Sequence, residues 1–89
     1  HVALDLRHRF HAKPQALPYR AGMTLVDVMI AVGGLSEFAA GNRAVIGRRE
    51  GDKQVRIPVR LNDLLNRGDI TADVAVKPGD VIIIPESRF

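Results

Sequence analysis

The 89-residue chain contains no cysteine and no tryptophan, and its aromatic side chains amount to one tyrosine and three phenylalanines. Without cysteine there is no disulfide, no thiolate metal site and no cysteine nucleophile. Few aromatics remove the stacking platforms on which single-stranded nucleic acid and sugar rings are usually read. Serine is nearly absent too: Ser36 and Ser87 stand without the flanking glycines of a nucleophile elbow. No apolar run approaches the ~20 residues needed to span a bilayer, and no secretory leader is visible. The chain begins with His1 rather than Met, which points to a fragment or a processed product.

What is present describes an ordinary small globular domain. Hydrophobic residues make up 46% and charged residues 26%, with a formal net charge of +3. A single domain is expected at this length. It buries only roughly 60–65% of its unfolded surface, which leaves little room for a deep catalytic cleft. The mild positive charge comes without a nucleic-acid-binding motif, so no nucleic-acid partner is expected. The nearest approach to a metal pair, His8 and His11, lies in the basic stretch RHRFHAKPQ and lacks a third ligand; a solvated loop is the simpler reading. No metal and no cofactor are expected.

Alternation in Val2, Leu4 and Leu6 predicts a first strand, and QALPYR a short second one with Pro18 at an edge position. The segment GMTLVDVMIAVGGL predicts the main helix. Thr24 and Asp27 have capping-box spacing, and Met23 and Val28 have that of a hydrophobic staple. Leu25, Val28, Met29 and Val32 share one face. Gly33 or Gly34 supplies the left-handed C-cap; a phosphate loop would need its glycines before the helix rather than after it.

A hairpin follows, turning at the EGD step, with Val55, Ile57 and Val59 on one face and Pro58 marking an edge or a bulge. Arg56 and Arg60 are expected to point to solvent on the same side. LNDLLNRGD predicts a short helical turn, with Asp63 and Asp69 serving as caps or solvated charge. ITADVAV reads as an extended link. The last segment, VKPGDVIIIPE, runs from a turn into a continuous aliphatic strand, the pattern of a central strand flanked on both sides. Pro78 and Gly79 carry the type II turn signature, and Asp80 is placed to bond its own turn backbone.

Strand, strand, helix, strand, strand, short helix, strand: the order describes an α+β fold of β-grasp (ubiquitin-like) architecture, one main helix covering a mixed sheet. The stretches AGMTLVDVMIAVGGLSEFAAGNRAVIGRRE, VRLNDLLNRGDI and VKPGDVIIIPES resemble the SLBB domain, a soluble-ligand-binding β-grasp. They are most similar to the copy found in bacterial polysaccharide export proteins of the outer membrane. The resemblance covers residues 16–89. Residues 1–15, a first strand and basic loop, depart from it, because LDLRHRFHAKPQ lacks the glycine that usually closes the first strand.

The resemblance implies a non-catalytic periplasmic module, associated with the outer membrane, that mediates subunit assembly in an export ring for capsule or exopolysaccharide. It implies a homo-oligomer in the full-length protein and an inner-membrane co-polymerase or tyrosine kinase as partner. The alternative is a module that itself binds a saccharide or another small molecule. A ubiquitin-like carrier role is disfavoured, because the only Gly-Gly is internal.

No acid–base constellation emerges from the spacing. The arginines of the hairpin region, Arg43, Arg48, Arg49, Arg56 and Arg60, are the candidate contact residues. They either protect an edge strand by charge or meet an acidic neighbour or an anionic sugar, to which the planar guanidinium fork is suited. Tyr19 and Phe38 either stack on a ligand or pack in the core. Thr24, Asp27, Gly33, Gly34, Pro78, Gly79 and Asp80 are read as structural.

Overall fold

In the computed structural model, residues 1–7, 12–35 and 39–86 are described. His8, His11, Ser36, Phe38 and Ser87 lie outside them. Five strands, β1 (Val2–Arg7), β2 (Ala12–Leu17), β3 (Ala44–Glu50), β4 (Lys53–Val59) and β5 (Val81–Ile84), form one sheet in the order β2-β1-β5-β3-β4. β5 runs parallel to β1 and antiparallel to β3; the other pairings are antiparallel hairpins. The main helix α1 (Leu25–Val32) and the short α2 (Leu61–Asn66) complete a mixed α+β fold of β-grasp type.

The aliphatic run of β5 does lie at the centre of the sheet. Its register aligns Leu4, Ile82 and Ile46 across three strands. All three are fully buried, together with Val2, Ile84 and Ala44 on the same face. Leu25, Val28 and Met29 of α1 and Leu61 and Leu64 of α2 pack into this cluster. Each large aliphatic side chain so buried contributes about 1.5–3 kcal/mol of transfer free energy. Period-2 strands and a period-3.6 helix therefore bring their apolar faces into one layer.

The ends of α1 follow the expected chemistry. The Thr24 N–H donates to Asp27 Oδ2 at 2.9 Å. Gly33 and Gly34 both adopt positive φ, and the Gly34 N–H returns to the Met29 carbonyl at 2.8 Å, a Schellman closure. Met23 and Val28, the expected staple pair, are both in the core.

Two expectations about local structure are revised. β2 begins at Ala12 and ends at Leu17, so residues 12–15 are strand rather than loop and Pro18 lies beyond the edge. Hydrogen bonding to β1 across the full register from Val2↔Leu17 to Arg7↔Ala12 overrides the basic composition. The ITADVAV link is not fully extended: Ile70–Ala72 is a 3-10 turn capped by Asp69. As expected, β5 is flanked by β1 and β3, and the helices cover one face of it: Ile82 and Ile84 are buried while Val81 and Ile83 are half-buried. An antiparallel neighbour leaves one sheet face free of helices, whereas an all-parallel sheet would cover both.

A second 3-10 turn, Gly41–Arg43, leads into β3. Gly41 is buried, and a Cβ there would lie 2.5 Å from Asn62 Oδ1 and 2.7 Å from a Leu35 methyl. The backbone at 41 therefore packs directly on α2. Gly41→Ala is expected to destabilise the domain by about 1–3 kcal/mol through overpacking, read as a lowered urea midpoint with an unchanged slope. An unchanged midpoint would show that α2 does not press on this turn.

Candidate functional site

The polar centre of the molecule is the turn before β5. Pro78 and Gly79 occupy its middle positions, Gly79 has φ +85°, and the Asp80 N–H donates to the Lys77 carbonyl at 3.1 Å. Positive φ is readily available to glycine because it has no Cβ. The Asp80 carboxylate folds back and accepts the Lys77 N–H at 2.8 Å.

Asp80 then engages a residue from another strand. The register pairs Gly47 with Val81, so Arg48 is the next residue across from Asp80. Arg48 Nε donates to Asp80 Oδ1 at 3.0 Å and Nη2 to Oδ2 at 2.8 Å, a bidentate fork. The same Nη2 donates to the Ala75 carbonyl at 3.2 Å. Asp80 is 1% exposed, and the Arg48 side chain 11%. The bond to Asp80 holds the Arg48 guanidinium above its usual range, against partial desolvation, which acts the other way. Backbone bonds from Gly79 N to the His1 carbonyl and from Ala3 N to the Asp80 carbonyl tie the same turn to β1.

Three N–H donors thus engage the Asp80 carboxylate and commit it to the turn and to β3. Arg48, grouped in the sequence with the contact arginines, is instead committed inward. Strand parity explains why: Ala44, Ile46 and Arg48 share the core-facing side of β3, while Val45, Gly47 and Arg49 face the other way.

The remaining arginines also divide. Arg60 follows β4 and stands at the N-cap of α2, 3.3 Å from Asp63 and 3.5 Å from Asp69, so it does not share a sheet face with Arg56. Arg43 is exposed and donates to the Glu86 carbonyl at 3.4 Å. Arg49 and Arg56 are exposed on the helix-free face. Tyr19, the other candidate contact, packs against the core.

Further aspartates hold the backbone. Asp73 Oδ1 accepts the Val26 N–H at 3.1 Å across 47 residues of sequence, and the Val74 carbonyl accepts the Leu25 N–H at 3.0 Å. With Asp27 on Thr24, the first N–H groups of α1 are satisfied, so this helix start holds no vacant anion site. No local pattern marks Asp73, because its partner is brought near only by folding. The Asn42 side-chain amide donates to Asp63 Oδ1 at 3.1 Å, and the Asp63 backbone N–H donates to Asn42 Oδ1 at 3.1 Å. Among the described residues no cluster of His, Asp or Glu could hold a metal ion.

Asp69 accepts from the hydroxyl and the backbone N–H of Thr71, and these bonds, with Arg60 and Arg67 nearby, hold its carboxyl below the usual range. A depressed folded pKa stabilises the fold above the unfolded value near ~3.9, and that contribution is lost as pH falls through the folded pKa. Carboxyl-carbon NMR titration is expected to place Asp69 below a free aspartate, and Thr71→Val to move it upward. No movement would assign the shift to the arginines.

The Arg48–Asp80 fork generates a second prediction. Asp80→Ala leaves a nearly buried guanidinium unpaired and is expected to lose about 3–5 kcal/mol. Asp80→Asn is expected to lose less. In urea unfolding, a double-mutant cycle with Arg48→Gln should show strong coupling; additive losses would mean that the two residues act separately.

A scan against family models matches residues 12–84 to the family described as SLBB domain. A search of curated proteins finds no match. The matched region begins within β2, upstream of residue 16, where the resemblance by motif starts.

Proposed function

The chain belongs to the SLBB domain family, and from that membership we propose that it is a non-catalytic module of a polysaccharide export protein. SLBB domains suggest ligand-binding modules, commonly in proteins of this kind. On this reading the domain lies in the periplasm against the outer membrane and serves subunit assembly in a ring that passes capsule or exopolysaccharide. The full-length protein is then a homo-oligomer that docks to an inner-membrane co-polymerase or tyrosine kinase.

One observation carries the non-catalytic part. Asp27, Asp69, Asp73 and Asp80 each accept a backbone N–H, Asp80 also an arginine fork, and the Asp63 carboxylate accepts the Asn42 side-chain amide. Acid–base chemistry needs a carboxyl or imidazole poised at a reacting atom, and these carboxylates are committed to structure. The exposed arginines remain available for contact. Saccharide binding by the domain itself draws less support: Tyr19 is the one aromatic among the described residues, and it packs on the core.

Light scattering on the full-length protein in detergent is expected to give a defined oligomer. A strict monomer would sink the ring reading. Amide shifts on titration with oligosaccharides at millimolar concentration would replace scaffolding with direct ligand binding.

A further inference from the structure

The helix-free face of the sheet bears Val45, Val81 and Ile83 at its centre, all half-exposed and none packed in the core. No described residue of this face is buried. Gly47 sits beside Val81 on β5 and Arg56 on β4. A glycine inside a strand weakens the strand, and it commonly marks a bulge or a place where another backbone comes close. Neither the pairing nor the local packing accounts for this one. The register runs through Gly47 without a break, its φ is not positive, and a Cβ there would meet only the Val81 carbonyl oxygen at an ordinary 3.7 Å. The domain itself has room for a side chain at this position.

The charge beside Gly47 has the same character. Arg49 lies two residues along β3 and Arg56 directly across on β4, which makes the two arginines diagonal neighbours, about 7–8 Å apart at the backbone. Neither makes an ion pair among the described residues. Adjacent like charges on one sheet face are unfavourable unless an anion comes between them. Asp5, the one acid among the described strand residues of this face, is on β1 at the far side of β5 and is already engaged.

We propose that the helix-free face, centred on Gly47, is a docking surface for a partner polypeptide that lays a closely packed apolar segment over Val45, Val81 and Ile83 and places an Asp or Glu carboxylate between Arg49 and Arg56. A polypeptide fits better than a sugar, because no described residue of this face is aromatic and the apolar area is aliphatic. An acidic partner fits better than a second copy of this basic chain. The inference goes beyond the assembly reading: it names a surface for an acidic polypeptide other than a second copy of this domain. It stands on this domain's geometry, so it can fail while the full-length oligomer holds, and the reverse.

The test uses the labelled 89-residue chain and a capped helical peptide whose alanine–leucine face is edged by glutamates, with its glutamine counterpart as control. Saturable amide shifts are expected at Val45, Gly47, Arg56, Val81 and Ile83. Affinity should fall about tenfold for the glutamine peptide and for Arg56→Gln, as loss of a charge-assisted fork requires. Gly47→Ala is expected to keep or raise the melting temperature while weakening binding, and Gly47→Val to abolish it. The proposal is overturned by absent shifts at millimolar peptide, by equal binding of the glutamine peptide, or by Gly47→Ala lowering stability without affecting affinity. It is equally overturned if an oligouronate reproduces the shifts more strongly, or if the chain self-associates through the same amides.

Discussion

The fork between Arg48 and Asp80 is the interaction on which the arrangement of the sheet depends. β5 has only four residues, yet it joins β1 to β3 and so connects two hairpins that are far apart in sequence. Asp80 stands at its start and binds its own turn at Lys77, while its backbone carbonyl receives the Ala3 N–H. Arg48 completes the join from β3 and extends it to Ala75. A nearly buried carboxylate is unfavourable without such partners, because desolvation of the charge must be offset by good geometry. Three directed donors meet that requirement and at the same time define the register of the central strand.

The same logic recurs elsewhere in the molecule. Asp73 supplies a distant N-terminal bond to α1, Asp27 a local one, and Asp63 joins α2 to the turn before β3 through Asn42. In a domain too small for an extensive core, side-chain-to-backbone bonds set the positions of short elements that packing alone would leave loosely defined. These carboxylates form a frame that takes in Arg48 and Arg60 and leaves Arg49 and Arg56 outside it.

The two faces of the sheet differ accordingly. One is closed by α1 and α2 over Leu4, Ile46 and Ile82. The other presents half-buried aliphatics, a glycine that neither pairing nor packing explains, and two arginines with no acidic partner among the described residues. A five-stranded antiparallel-edged sheet tolerates one open face, and on this one Val45, Val81 and Ile83 are half-buried. Pro14 in β2 and Pro58 in β4, both on edge strands, discourage further in-plane pairing.

Much of this was legible from local signals. The capping pair Thr24 and Asp27, the glycine stop at Gly33 and Gly34, the EGD hairpin and the Pro78-Gly79 turn are encoded within a few residues, because caps and turns depend on nearby backbone geometry. The continuous Val81–Ile84 run was sufficient to place β5 at the centre of the sheet. The stretch QALPYR places β2 three residues too late, since Pro18 has the character of an edge-strand residue while pairing with β1 defines the strand. The division of the arginines was out of reach when they were considered as a cluster. Parity along β3 separates Arg48 from Arg49, but only the register against β5 brings Arg48 to Asp80, 32 residues away in sequence. The amino-acid sequence by itself determined the elements, their order and the turn that precedes β5. Tertiary structure alone decided which charges are tied inward and which face outward, because a long-range ion pair is specified by strand register and not by any spacing along the chain.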